Sequence, residues 1–219
     1  MVRQYESSGR KLQAEATRAA LVDAGRALFG SVGFHDAGIP ELVERAGVTR
    51  GALYHHFASK DGLFEAVFRD VALDVKVQAQ ALVADLKGDT WAQLIGGLSN
   101  YLRILAASVE AQRVLMIDGP AVLGWDRWRQ AQTDSIQGDT ITTLEMLAEQ
   151  NVIDHPDLGG LALLIHAALN EAALAIAHDN DHQGASNRMT AALVVLLRGI
   201  RRDWIDLNSP IRQAILSDP

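Results

Sequence analysis

The stretch Ala46-Gly47-Val48-Thr49-Arg50-Gly51-Ala52-Leu53-Tyr54-His55-His56-Phe57, followed by Ser59-Lys60-Asp61, decides the fold of this chain. Gly47 can take the positive φ of a sharp turn between helices. Thr49 is a good N-cap for a short helix. Leu53 and Phe57 stand four apart, so they share one face and can pin that helix to a core. The other face presents Thr49, Arg50, Gly51, Tyr54, His55 and His56. It carries a cation, a phenol, two imidazoles and a glycine that lets backbone approach closely. Such a surface suits a phosphate-lined major groove better than a catalytic cleft. The pattern is the turn and second helix of a helix-turn-helix. It runs into a further helix that Ser59 caps and Asp61 supports at its positive dipole end.

Upstream, Leu21, Ala24 and Leu28 form an apolar stripe on a helix over about 12–31, stopped by Gly33 with Phe34 as an apolar plug. Residues 1–11 read as a mobile arm. Its Arg3, Arg10 and Lys11 either add phosphate contacts or are simply solvated. A short helix over about 39–46 holds Pro40 in its first turn. Downstream, Leu63, Val67, Val71 and Val75 mark a long helix over about 60–87, ended by Gly88-Asp89. Further helices are expected over about 90–107, 109–117, 125–150, 158–178 and 186–206. Breaks fall at Asp118-Gly119-Pro120 and Asp154-His155-Pro156-Asp157, with a polar turn over 179–185. Ser209-Pro210 signals the start of one more short helix. There is no strand periodicity and no internal repeat. The expected fold is all-α, with a three-helix DNA-binding head over 1–60 and a helical body over 61–219. The helix at about 60–87 connects the two.

With 219 residues and 48% hydrophobic content, the chain can fill both parts. It has no cysteine, so disulfide frameworks and cysteine-based metal sites are excluded. The polar start does not read as a signal peptide, and no stretch approaches the roughly 20 apolar residues of a membrane span. A soluble cytoplasmic protein is the simplest reading. The formal net charge of −7 is unevenly placed. Residues 1–70 hold nine Lys/Arg and nine Asp/Glu, whereas residues 71–219 hold eleven and eighteen. The head is therefore neutral, and binding must rest on a few placed cations and on two heads acting together.

The segments at about 158–178 and 186–206 are too apolar for ordinary surface helices. Leu158, Leu161 to Ile165 and Ala167 to Leu169 crowd the first, and residues 191–197 form an unbroken apolar run in the second. Helices apolar nearly all round must be covered on more than one side. Two from each of two subunits would make a four-helix homodimer interface. The alternative is a buried hairpin within one subunit.

Residues 17–64 resemble the tetracycline-repressor (TetR) family of bacterial transcription factors. The resemblance rests on Thr17-Arg18, Ala24, Leu28-Phe29, Gly33-Phe34, Ile39, Leu42, Ala46-Gly47-Val48-Thr49, Gly51, Leu53-Tyr54, His56-Phe57 and Lys60. It implies a homodimeric, sequence-specific repressor of double-stranded DNA. A small-molecule effector in the body would release it from a palindromic operator. Thr49, Arg50, Gly51, Ala52, Tyr54, His55, His56 and Lys60 then form the DNA face. Arg50 suits guanine O6 and N7 or a phosphate, Tyr54 a phosphate or a thymine methyl, and Ala52 a thymine methyl. The role of His55 stays open. The matching positions of Thr49 and His56 meet phosphate in the family, and Lys60 stands at a helix N-terminus that attracts it. The chain departs from the family where hydroxyl residues usually precede the second helix. Ala37 and Gly38 stand there, so a side-chain cap and a phosphate contact are missing.

For the effector, Tyr101, Leu105, Met116, Trp125 and Trp128 are candidate pocket linings or ordinary core. His166 and Asn170, polar within an apolar helix, are ligand contacts or satisfied core and dimer contacts. An uncharged or weakly polar organic molecule is the default effector. His178 and His182 stand four apart beside Asp179 and Asp181, a spacing that can hold a metal. They lack the zinc-protease Glu and run into a loop-like stretch, so no metal site is expected. No cofactor or nucleophile motif is present, and an enzyme is not expected. The alternative function is a dimeric helical small-molecule- or metal-binding protein with a degenerate head.

Overall fold

The computed structural model describes residues 2–86 and 88–203. The expected contacts of the Arg3 and Arg10 side chains, the helix end at Lys87 and the helix start at Ser209-Pro210 lie outside what is described. The described fold is helical, with a single isolated bridge pairing Ile153 and Arg201. The elements are α1 (Val2–Val32), α2 (Ile39–Arg45), α3 (Arg50–Phe57), α4 (Lys60–Ala81), α5 (Thr90–Ala107) and α6 (Val109–Ala111). A π-helical segment (Gln112–Asp118) follows, then α7 (Gly119–Leu123), α8 (Trp125–Glu149), α9 (Leu158–His178) and α10 (His182–Arg198).

Two compact units emerge. The first holds residues 1–77 and 105–132, and the second holds 78–104 and 133–219. The head-and-body division at residue 60 is thus a division by expected role, whereas packing groups the chain differently. In the first unit Leu21, Leu28, Phe29, Leu42, Leu53, Leu63, Phe64 and Phe68 are fully buried. Phe29, Phe34 and Phe64 meet edge-on or tilted, with ring centroids 5.2–5.7 Å apart. This aromatic cluster fixes α1 and α4 around the helix-turn-helix. In the second unit α9 and α10 pack together, burying Leu161, Ile165, Leu169, Ala173, Ile176, Leu193 and Leu197.

Several boundaries differ from expectation. Residues 2–11 of the expected arm are helical, because α1 begins at Val2. Its polar residues make no apolar stripe, yet arginine, glutamine, glutamate and lysine are good helix formers. The helix expected to reach 87 ends at Ala81, and turns follow. Val83 and Leu86 of that turn lie against Gly96 of α5, which requires the chain to bend there. Asp118-Gly119-Pro120 does not break the chain. Pro120 sits in the first turn of α7, where its missing N–H costs nothing, and the break comes at Gly124, with φ 77°. The polar turn expected over 179–185 is shorter. Asp181 caps α10 by accepting from Gly184 N at 2.9 Å, so the helix starts at His182 rather than 186. That helix ends at Arg198, short of 206, and Arg202 N then donates to Val152 O.

α9 also amends the expectation about apolar length. It has 21 residues and a mean hydropathy of 1.7 over its most apolar window, enough by composition to cross a membrane. Half of that window is buried in the fold, and the helix carries His166, Asn170 and Glu171. Those are marks of a core helix in a bundle.

Candidate nucleic-acid interface

The short helix α3 is held at both ends by its own sequence. Gly47 takes φ 66°, the turn conformation that side chains resist. Thr49 is extended, and its hydroxyl accepts from Ala52 N at 3.2 Å. At the far end Ala58 leaves the helix with φ 59°, and Ser59 caps α4 by accepting from Gly62 N at 3.0 Å. The elbow is tight, since a Cβ on residue 62 would fall 2.1 Å from the Phe57 carbonyl oxygen. Leu53 and Phe57 are buried on the inner face, as their spacing predicts.

The outer face carries the expected polar residues. Arg50, Gly51, Tyr54 and His55 are exposed, while Ala52 and His56 are half-buried. Arg50 lies over the Tyr54 ring, 5.5 Å from its centroid, and donates to the Tyr54 hydroxyl at 3.3 Å. This i, i+4 pair prearranges a cation and a phenol on one side of the helix. His55 and His56 meet edge-on at 5.4 Å. Lys60 is held more closely than its position at a helix start suggests. Its ammonium lies 4.4 Å from the Phe34 ring centroid and 3.4 Å from the His35 carbonyl oxygen. Burial lowers its pKa from the usual lysine value, partly offset by Asp61 and Asp36.

Before α2 the side-chain cap is absent, as the missing hydroxyls imply. Gly38 provides no side-chain cap, and Ala37 is buried. One cation escaped the sequence reading as a site residue. Arg18 of α1 lies 5.3 Å from the Phe57 ring centroid and lines a surface hollow of about 400 Å³ with His55, His56, Glu65 and Arg69. Its place in the α1 periodicity marks it only as exposed. What aligns it with α3 is the packing of Phe57.

The candidate effector residues fall in both units. Tyr101, His166 and Asn170 are in the second, and Leu105, Met116, Trp125 and Trp128 are in the first. Trp128 is fully buried, and its N–H donates to the Leu115 carbonyl at 2.7 Å. Trp125 stacks on it at a tilt but is 58% exposed. His166 is only 4% exposed, and neither ring nitrogen finds a hydrogen-bond partner among the described residues. Burial lowers its pKa below the ordinary histidine value and holds the ring neutral. His178 and His182 each point Nδ1 at a backbone carbonyl oxygen, that of Leu174 at 2.8 Å and of Ile176 at 2.9 Å.

Two family models match this chain. Residues 21–67 match the bacterial regulatory proteins of the tetR family, and residues 91–200 match a tetracyclin repressor-like C-terminal domain. The chain belongs to the TetR family. A TetR-family transcriptional regulator from Pectobacterium atrosepticum is 34% identical, with a TM-score of 0.77. The match covers 87% of this chain and 97% of that one. The chain is therefore a DNA-binding transcriptional regulator with a helix-turn-helix head and a helical C-terminal domain. Among curated relatives, the regulator BetI of Klebsiella pneumoniae is 32% identical over 98 residues, 43% of this chain. The match spans only half of that protein's length. The fold is shared with RolR solved with resorcinol, at 19% identity over 95% of this chain and 97% of that one, with a TM-score of 0.68.

Proposed function

We propose that this TetR-family regulator is a homodimeric repressor. It grips a palindromic operator with α3 and releases it when the body binds a small uncharged organic molecule. The observation that carries this reading is the α3 outer face, where a capped helix start and the Arg50–Tyr54 pair present a preformed polar surface. Thr49, Arg50, Gly51, Ala52, Tyr54, His55, His56 and Lys60 contact DNA, and Arg18 joins them as a phosphate contact. Residues 1–60 read DNA, and residues 61–219 bind effector and partner.

The exposed faces of α9 and α10 support the dimer. Leu163, Leu164, Val195 and Leu196 stand in water on the single chain, with Leu164 69% exposed and Leu196 64% exposed. Apolar side chains so placed on adjacent helices fit an isologous four-helix interface. Such a dimer sets two reading helices about 34–36 Å apart, or a multiple, along one DNA face. For the effector, His166 is the best-supported contact, because a buried neutral imidazole without partners among the described residues offers one donor and one acceptor. Asn170 lies one turn further along α9. Leu105, Met116 and Trp128 are explained as core.

Fluorescence anisotropy on the DNA flanking the gene, at two salt concentrations and against a scrambled duplex, tests the reading. Selective binding that weakens with salt supports a repressor at that site. Absence of selectivity there, and again in a selection from random DNA, sinks the repressor. It then favours a helical binding protein with a degenerate head, the reading that the uncapped start of α2 supports.

A further inference from the structure

The segment between α5 and α8 holds an arrangement that the α3 face does not explain. Residues 105–132 fall within the matched C-terminal domain, yet they pack in the same compact unit as the helix-turn-helix. Two carboxylates of this segment grip α1 and the turn after it. Glu110 accepts from Arg26 at 2.9 and 3.0 Å, and its side chain lies so close to Gly30 that a Cβ there would meet it at 2.9 Å. Asp70 and Asp74 of α4 accept from the same guanidinium, at 2.9 and 3.0 Å. Asp118 accepts from Phe34 N at 2.8 Å, at the turn that leads into α2. Arg26 and Gly30 stand four apart on one line of α1, and Phe34 lies just past its end, after the turn at Gly33.

Glu110 and Asp118 are eight residues apart. On an α-helix of 3.6 residues per turn, such residues diverge by about 80° and do not face one partner. The π-helical stretch Gln112–Asp118 absorbs one residue, which brings the two to within about 20° of each other. Its register is tied to the end of α5, because the buried Gln112 amide donates to the Leu105 and Ala106 carbonyls, both at 3.0 Å.

We propose that the π-helical segment is the coupling element of this regulator: its π register aligns Glu110 on α1 and Asp118 on the turn that follows it, which sets the pose of the reading helix, and reversion to an α register releases the head. Displacing the end of α5 shifts Gln112 and with it the register. Both carboxylates are positioning residues, acting on DNA only through α1 and the turn after it. This rests on the repressor reading for its consequence, though not for the grip itself.

The test uses the full-length protein. In Asp118→Ala and Glu110→Ala, amide hydrogen exchange over residues 33–57 is expected to speed up about tenfold. Operator affinity should fall by a similar factor with an unchanged salt slope, since no phosphate contact is lost. Exchange in α9 and α10 should stay at the wild-type rate. Deleting the exposed Ile117 leaves Glu110 and Asp118 seven apart on a plain α-helix, so protection and affinity should be retained. Unchanged exchange at 33–57 in both alanine variants overturns the proposal. So does faster exchange spread equally into α9 and α10, which marks a general loss of stability. Loss of protection on deleting Ile117 overturns the role of the register. If the wild type binds no DNA, the repressor reading fails, and the exchange data still decide the grip.

Discussion

Arg50 is prearranged by Tyr54, and that makes its role measurable. A guanidinium paired with guanine O6 and N7 contributes about 1–3 kcal/mol of discrimination at one base pair. Arg50→Ala should therefore weaken binding by that amount and relax selectivity at a single position, read by titrating operator duplexes with single-base changes. A uniform loss on every duplex would make Arg50 a phosphate contact. Lys60→Ala should do the opposite, lowering affinity evenly and reducing the salt slope by about one. His166 gives a second residue-level expectation. A buried polar group without a partner costs about 1–3 kcal/mol, so His166→Leu should stabilise the fold, with a rise of about 2–4 °C in Tm per kcal/mol. The unfolded ring takes up a proton near pH 6.5, whereas burial keeps the folded ring neutral to lower pH. Stability is then fully present above that pH and falls as pH drops below it, by at most about 1.4 kcal/mol per pH unit. Urea titrations at pH 7.5 and 5.5 should show that this residue's share of the slope disappears in His166→Leu. An unchanged slope and a lower Tm would mean that His166 is satisfied.

Among the elements, α3 and its elbow were the most legible, because caps and four-residue spacing are local signals. Thr49, Leu53 and Phe57 occupy the places that their spacing predicts. Other elements were hidden for equally physical reasons. The first turns of α1 have no apolar stripe, so periodicity cannot see them. The π register has no compositional mark, since the same residues suit an α-helix, and it is seen only in the folded backbone, where Glu110 reaches Arg26 and Asp118 reaches Phe34 N. The unpartnered nitrogens of His166 depend on which neighbours fail to reach them, which no linear pattern encodes. The elbow after α3 yields its own prediction. A methyl group at residue 62 collides with the Phe57 carbonyl, a backbone atom that cannot turn aside. Gly62→Ala should cost about 1–3 kcal/mol and lower operator affinity, through the displacement of α3 against α4. Wild-type stability in urea and wild-type affinity together would show that the elbow opens freely.

At the scale of the whole molecule, the proposed repressor needs two heads on its operator, because residues 1–70 carry no net charge to hold DNA alone. In that reading the dimer is part of the binding free energy. The apolar faces of α9 and α10 offer a direct way to remove it. Leu164 and Leu196 are exposed on the single chain, so a carboxylate at either place is solvated in a monomer and buried in a dimer. A buried unpaired charge is far costlier than a surface one. Leu164→Glu with Leu196→Glu should therefore give a folded monomer by light scattering, with helicity and the protection of α3 unchanged. Its affinity for a full palindrome should drop to that of a half-site, a loss on the order of a hundredfold or more, since the second head no longer binds at high effective concentration. The salt slope should fall by about half as the number of phosphate contacts halves. A dimer that survives both substitutions would place the interface on another surface. A monomer that keeps full affinity and slope would mean that one head reads the operator by itself.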